Sequence, residues 1–171
     1  MTTPDRSRLQ MNSWMAVVRT YQECTRRYAQ LLNGFDLTIP QFDVLNAVIQ
    51  LGDAATPKAI ADQLVVTRGN ITGVLHRLQD HGLLVTRTHE HDGRSFVCAL
   101  TSGGHARLNQ ARRAAAAFIA EQLAPFDDDA LKTTENHMNR MRSHLLTIDP
   151  DAIVARVQAT PPPTSTEPSR R

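Results

Sequence analysis

The chain has 171 residues, 41% of them hydrophobic and 21% charged, which is the balance of one globular domain with extensions. Its formal net charge of +2 excludes a histone-like polycation but not a DNA-binding protein whose basic side chains share one face. Its two cysteines exclude a disulfide framework or a four-cysteine zinc site. No apolar run approaches the roughly 18 residues of a membrane span, and the N-terminus lacks the apolar core of a signal peptide. We therefore expect a cytoplasmic protein without a membrane partner.

A long first helix is predicted from about Leu9 to Leu32, with Asn33-Gly34 ending it. Apolar and aromatic residues recur along it at alternating spacings of three and four. A heptad seam of this kind is typical of helices that pack lengthwise against other helices. The seam consists of Met11, Trp14, Val18, Tyr21, Thr25, Tyr28 and Leu32.

Three shorter helices are predicted next. Thr38 to Gln41 forms a capping box with a proline in the first turn, and Gly52 ends the helix that it opens. Thr56-Pro57 begins the third helix in the same way. After the short turn Val65-Val66, Thr67 caps a fourth helix. The apolar stripe of that helix is Ile71, Val74, Leu75 and Leu78.

The hydrophobic period then changes to that of strands. Leu84–Thr88 and Ser95–Leu100 are predicted to form a hairpin, because the polar turn His89–Arg94 between them contains Asp92-Gly93. Helices follow from Thr101 to about Leu123 and from about Asp127 to Leu146. Residues 149–171, which are rich in Pro, Ser and Thr from Thr160 onward, are predicted to be a largely disordered tail.

This order of elements predicts a mainly α protein with a winged helix-turn-helix and long N- and C-terminal helices. The fourth helix would read DNA, since Arg suits guanine, Asn suits adenine and a Thr methyl suits thymine. Gly69 and Gly73 within it allow two interpretations, a close backbone approach to DNA or drift at exposed positions. The predicted reading face carries Arg68, Asn70, Thr72, His76 and Arg77.

This ordered set of motifs resembles the MarR family of transcriptional regulators from about Leu9 to Leu146. The resemblance is carried by residues 37–45, 60–64, 67–68, 71–72, 75–78, 81–84, 92–94 and 100–104. It implies a MarR-type domain at 9–148, with a winged-helix core at about 38–101 and dimerisation helices at about 9–33 and 102–148. It also implies a homodimeric repressor that binds an inverted-repeat operator in double-stranded DNA and is released by a small aromatic or lipophilic effector, with no cofactor.

The resemblance also implies roles for individual residues. Arg94 would stand at the wing tip and enter the minor groove, with Asp92 orienting it. From their positions in the sequence, we also expect Lys58, at the start of the third helix, to contact DNA together with Thr67 and Arg87. An effector cleft between the dimerisation helices and the winged domain would be lined by Trp14, Tyr21 and Phe42.

Two alternatives remain open at this point. Cys24 lies between Tyr21 and Tyr28, and some members of the MarR family sense peroxides through a first-helix cysteine, so the protein could be a thiol-based oxidant sensor. It could also be a winged-helix interaction module that does not bind DNA.

Enzymatic and metal-dependent functions are not predicted. Residues 88–94 partly match a His-x-His-x-Asp-His zinc signature, but Gly93 and Arg94 stand where Asp and His are needed. The chain shows no nucleophile elbow, phosphate loop or dinucleotide fingerprint, so we expect neither an enzyme nor a bound metal.

Overall fold

A computed structural model describes residues 3–89 and 92–159, with the side chains of 5–88 and 96–159. The described residues divide into two compact units, with the boundary between residues 122 and 123. Within the described part, no helix is long and apolar enough to cross a membrane. The elements are α1 (Thr3–Asn33), α2 (Ile39–Leu51), a 3-10 turn (Gly52–Ala54), α3 (Pro57–Leu64), α4 (Arg68–Asp80), β1 (Leu84–His89), β2 (Asp92–Leu100), α5 (Ser102–Leu123), α6 (Asp128–Leu145) and α7 (Pro150–Ala159).

The predicted winged helix-turn-helix is confirmed in the first unit. Helices α2, α3 and α4 pack against one another, and the antiparallel hairpin of β1 and β2 contacts α2, α3 and α4. The end of α1 and the first half of α5 complete the core through Leu32 and Leu108, which are both buried. The largest fully buried side chains are Leu32, Leu37, Val44, Leu45, Ile60, Leu78, Leu84, Cys98 and Leu108.

Side-chain caps fix where the short helices begin, as the sequence predicts. The Thr38 amide donates to Gln41 Oε1 at 2.9 Å, and the Gln41 amide donates to Thr38 Oγ1 at 3.4 Å, so the capping box is complete. Thr56 Oγ1 accepts from the Ala59 amide at 3.1 Å. Each cap satisfies amides that the first helical turn leaves without a partner.

Two predicted boundaries are wrong. Helix α1 begins at Thr3 and not near Leu9; the early turns are supported by an Arg8–Asp5 ion pair at 3.5 Å. The predicted tail contains α7 over Pro150–Ala159, whose start is capped by Asp149 Oδ1, which accepts from the amides of residues 151 and 152. Residues 160–171 of the predicted tail lie outside the described residues.

The hairpin turn also differs from the prediction. Asp92, Gly93 and Arg94 belong to β2, so Asp92-Gly93 lies within a strand and not in the turn where the sequence placed it. Thr88 pairs with Phe96 while His89 pairs with Asp92, which leaves a bulge in β2 between these pairs. A bulge bends a strand and increases its twist. Pairing of the longer strands therefore overrides the local turn preference of Asp-Gly.

Gly104 marks a close approach between α5 and the chain that follows α4. A Cβ at this position would overlap the carbonyl oxygen of Leu83. The same junction is closed by Thr101, whose amide donates to Leu83 O at 3.2 Å and whose hydroxyl donates to Gly82 O at 2.7 Å. The start of α5 is therefore fixed against the backbone between α4 and β1.

Substitution of two helical glycines by alanine should have opposite effects on stability. Gly73→Ala in α4 should stabilise the fold by about 0.8–1 kcal/mol, because the new Cβ would meet only Arg77 Nη1, at 3.7 Å. Gly104→Ala should destabilise it by about 1–3 kcal/mol, because backbone must shift. Urea unfolding of both variants at one protein concentration measures the difference. A destabilising Gly73→Ala would contradict this account of α4.

Candidate nucleic-acid interface

Helix α4 presents one apolar and one polar side. Its predicted stripe is buried, with exposed fractions of 3% for Ile71, 5% for Val74 and Leu75, and 0% for Leu78. Because helical neighbours on one face are spaced by three and four residues, burial of this stripe turns the other side toward solvent. The exposed residues on that side include all of the predicted readers: Arg68, Asn70, Thr72, His76 and Arg77.

Two threonines of the predicted interface have backbone partners. Thr67 Oγ1 accepts from the Asn70 amide at 3.4 Å and so caps α4. The Thr72 hydroxyl donates to Arg68 O at 3.0 Å, which uses its proton within the helix. Thr72 is therefore suited to an apolar contact through its methyl group more than to donating a hydrogen bond.

A side-chain hydrogen bond ties the wing to α4. Gln79 Nε2 in α4 donates to Thr86 Oγ1 in β1 at 3.3 Å. Asp92 and Arg94 lie in β2 by their backbone, but their side chains are outside the described set, as is most of the zinc-like segment at 88–94. Their predicted roles at the wing tip thus remain predictions.

Arg87 is not brought together with the readers of α4. It pairs with Val97 across the hairpin, whereas Thr86, which contacts α4, pairs with the buried Cys98. Successive residues of a strand face opposite sides, so Arg87 lies on the face of the wing away from α4. There it lines a surface cavity of about 590 Å³ that His105 also lines.

The predicted effector residues separate into two groups. Phe42 is buried, with its ring 6.1 Å from that of Tyr28, and Tyr28 is also 5.7 Å from Phe118. Trp14 and Tyr21 are 58% and 70% exposed on the first half of α1. The sequence did not single out Phe118, because periodicity assigns a residue to a helix face but not to a partner on a distant helix.

Polar side chains lie among the same helices. Arg112 Nε donates to Asn46 Oδ1 at 2.7 Å, and Asn46 Nδ2 donates to Phe42 O at 2.8 Å, which ties α5 to α2. Burial raises the pKa of the half-buried Asp43 carboxyl above its usual range, since the charged form loses water. Burial, followed by the nearby charges of Asp43 and Cys24, also raises the pKa of Tyr28.

Cys24 is half-buried on α1, with its Sγ 3.6 Å from Gln122 Oε1 on α5. The neighbouring Arg26 and Arg27 both bind Glu23, at 2.6 and 2.7 Å. The thiol therefore contacts a side-chain amide, and the two arginines are directed to a carboxylate.

Comparison with known proteins agrees with the winged-helix interpretation. A family model described as MarR family matches residues 35–95, which include α2, α3, α4 and much of the wing. An uncharacterized HTH-type transcriptional regulator of Bacillus cereus (strain ATCC 10987) is 32% identical over 128 residues, or 73% of this chain and 80% of the relative. These matches coincide with the segment that contains the predicted DNA-reading face.

Two further proteins are also similar to this chain. The organic hydroperoxide resistance transcriptional regulator of Bacillus subtilis is 28% identical over 100 residues, or 58% of this chain and 67% of the relative. The crystal structure of the S. aureus MepR–DNA complex has a similar fold, with a TM-score of 0.67 and 18% identity over 76% of this chain and 94% of the other.

Asp43→Asn should stabilise the protein at neutral pH but not in acid. Because the folded chain holds the Asp43 proton more tightly than the unfolded chain does, stability falls as the pH rises from about 4 through the raised pKa. The variant carries no charge to desolvate, so its advantage over wild type should be present at pH 7 and vanish by pH 3. Urea unfolding at several pH values measures it.

Asp53→Asn is the matched control, since Asp53 is an exposed carboxylate just after α2. It should show no comparable pH-dependent gain. If the stability gain of Asp43→Asn stayed constant down to pH 3, the gain would come from packing and not from removing a desolvated charge.

Proposed function

The chain belongs to the MarR family of transcriptional regulators, and from that premise we propose that it is a homodimeric repressor released from an inverted-repeat operator by a small ligand. Membership makes it a DNA-binding regulator, and its curated relatives are regulators and not enzymes. The observation that carries the proposal is the exposed polar side of α4, held outward by a buried apolar stripe.

The readers on α4 divide by their position along the helix. In a helix-turn-helix the N-terminal part of the recognition helix reaches base edges in the major groove. Arg68 and Asn70, exposed in the first turn of α4, are therefore proposed to read bases. Lys58 at the start of α3 and Arg77 later in α4 are exposed and are proposed to neutralise phosphates. Arg94, with Asp92, remains the proposed minor-groove contact of the wing.

Asn70→Ala and Arg77→Ala should separate base reading from phosphate attraction. Asn70→Ala should weaken binding to the preferred operator by about 1–3 kcal/mol and change binding to random DNA little, because a bidentate base contact discriminates by that amount. Arg77→Ala should weaken binding to both DNAs about equally. It should also reduce the slope of log affinity against log salt concentration by about one unit. The measurement is binding to both DNAs over a salt series, after the operator has been selected from random fragments.

Arg113→Ala, which removes an exposed charge on α5, is the control for Arg77→Ala and should leave the salt slope unchanged. If Asn70→Ala weakened binding to operator and random DNA equally, α4 would dock on DNA in another register. Salt-independent binding, or no binding to DNA, would favour the interaction-module alternative over an operator-binding regulator.

The proposed dimer accounts for the exposed half of the α1 seam. Met11, Trp14 and Tyr21 are 59%, 58% and 70% exposed, whereas Leu32 at the other end of the seam is buried. Large apolar side chains that follow a heptad spacing favour a second helical surface. A two-fold dimer would separate its recognition helices by one turn of DNA, or roughly 10–10.5 bp between half-site centres.

Light scattering should report roughly twice the 19.0 kDa chain mass at micromolar concentration. Trp14→Glu should shift the protein toward monomer, because it places a charge in the seam, whereas Arg19→Glu, exposed on α1 but outside the seam, should not. A wild-type monomer under these conditions would contradict both the dimer and the inverted-repeat operator.

The proposed effector is a small aromatic or lipophilic molecule. Support comes from the rings of Tyr28, Phe42 and Phe118, which bring α1, α2 and α5 together. The second candidate is oxidant sensing through Cys24, favoured by the similarity to the organic hydroperoxide resistance regulator. In this structure the Cys24 thiol contacts Gln122 Oε1 on α5.

A further inference from the structure

Val65 has a backbone conformation that suits glycine far better than valine. It ends α3 with φ 55° and ψ 47°, in the left-handed region. A β-branched residue with positive φ is a genuine outlier, because its Cβ and γ-methyls crowd the backbone, and helices that end this way usually carry Gly or Asn. The valine side chain must therefore have a use that offsets this strain.

The folded chain does not provide that use. The Val65 side chain is 90% exposed, so its methyl groups contribute little to the core. The backbone requirement at the end of α3, an amide that donates to the carbonyls of Ala61 and Asp62, would be met equally by glycine. Strain without compensating burial is typical of positions that act on a ligand.

Val65 lies beside the proposed base-reading end of α4. It shares a surface groove of about 580 Å³ with Thr67, the cap of α4, and with Asn70, the proposed adenine reader. Asp62 also lines this groove, and its carboxylate disfavours a phosphate at the same place. The groove therefore suits the edge of a base more than the DNA backbone.

The chemistry of the groove selects one base. The 5-methyl of thymine is the apolar group that the major-groove edge of DNA offers, and an apolar side chain recognises it by contact. The γ-methyls of Val65 are held outward in the turn that precedes α4. We infer that Val65 determines specificity by packing against the 5-methyl of a thymine next to the base that Asn70 reads. The inference rests on the proposed function, since it requires operator binding through α4.

The test replaces single thymines of the selected operator by deoxyuridine, which removes only the 5-methyl group. With wild-type protein, deoxyuridine at one position in each half-site should weaken binding about fourfold per half-site and about 15-fold for both, the equivalent of burying one methyl group at each. Val65→Gly should bind the natural operator more weakly by the same factor. It should also be insensitive to deoxyuridine at that position and unfold at higher urea concentration than wild type.

Val65→Ala is the matched control, because it keeps a Cβ in the left-handed conformation but removes both methyls. It should lose sensitivity to deoxyuridine as fully as Val65→Gly does. The inference is overturned if wild type tolerates deoxyuridine at every thymine, or if the three proteins share the same sensitivity; operator binding, and with it the proposed function, would stand in either case. Failure of wild type to bind any selected DNA would overturn both proposals, and that outcome is distinguishable before deoxyuridine is introduced.

Discussion

The one-sided burial of α4 is the constraint on which the rest of the interface depends. Each of its four core side chains contributes about 1.5–3 kcal/mol when it leaves water, and all four are at most 5% exposed. A single base contact is worth about 1–3 kcal/mol. The core therefore fixes which side of α4 faces solvent, and DNA meets a surface that is already oriented.

That orientation extends from α4 into the neighbouring elements through backbone contacts. Gly82 and Leu83 follow His81, the C-cap of α4, and both accept hydrogen bonds from Thr101, just before α5. Gly104 also brings the start of α5 against the Leu83 carbonyl, so α5 packs closely on the backbone that follows α4. The ring of Phe118 lies on the same helix, so α5 contacts both the aromatic cluster and the chain that follows the recognition helix.

Local chemistry allowed most of the fold to be predicted. Thr38, Thr56 and Thr67 each cap a helix where the sequence places one, because capping depends on residues only three positions apart. The hairpin turn was misplaced, since Asp-Gly reports a local preference that the pairing of β1 with β2 overrides. Helix α7 was missed because the composition of a proline-rich tail conceals one capped helical segment.

For the site, the sequence predicted which side of a helix faces solvent but not which distant residues meet. The polar face of α4 followed from helical periodicity, and its exposure confirms the prediction that these side chains face solvent. The separation of Arg87 from α4 did not follow, because alternation along a strand defines two faces without showing which one meets the helix. The contact of Tyr28 with Phe118 joins residues far apart in sequence, which a pattern within either helix cannot indicate.

The heptad seam of helix α1 is buried at one end and exposed at the other. Toward its end, Tyr28 packs on the core and Leu32 is fully buried, so that half of the seam folds with its own chain. Toward its start, Trp14 remains more than half exposed at the same heptad spacing. Since the heptad spacing is continuous, one helix connects the buried core of the winged domain to the exposed half of the seam. The buried half also connects α1 to α2 and α5, because the ring of Tyr28 contacts those of Phe42 and Phe118.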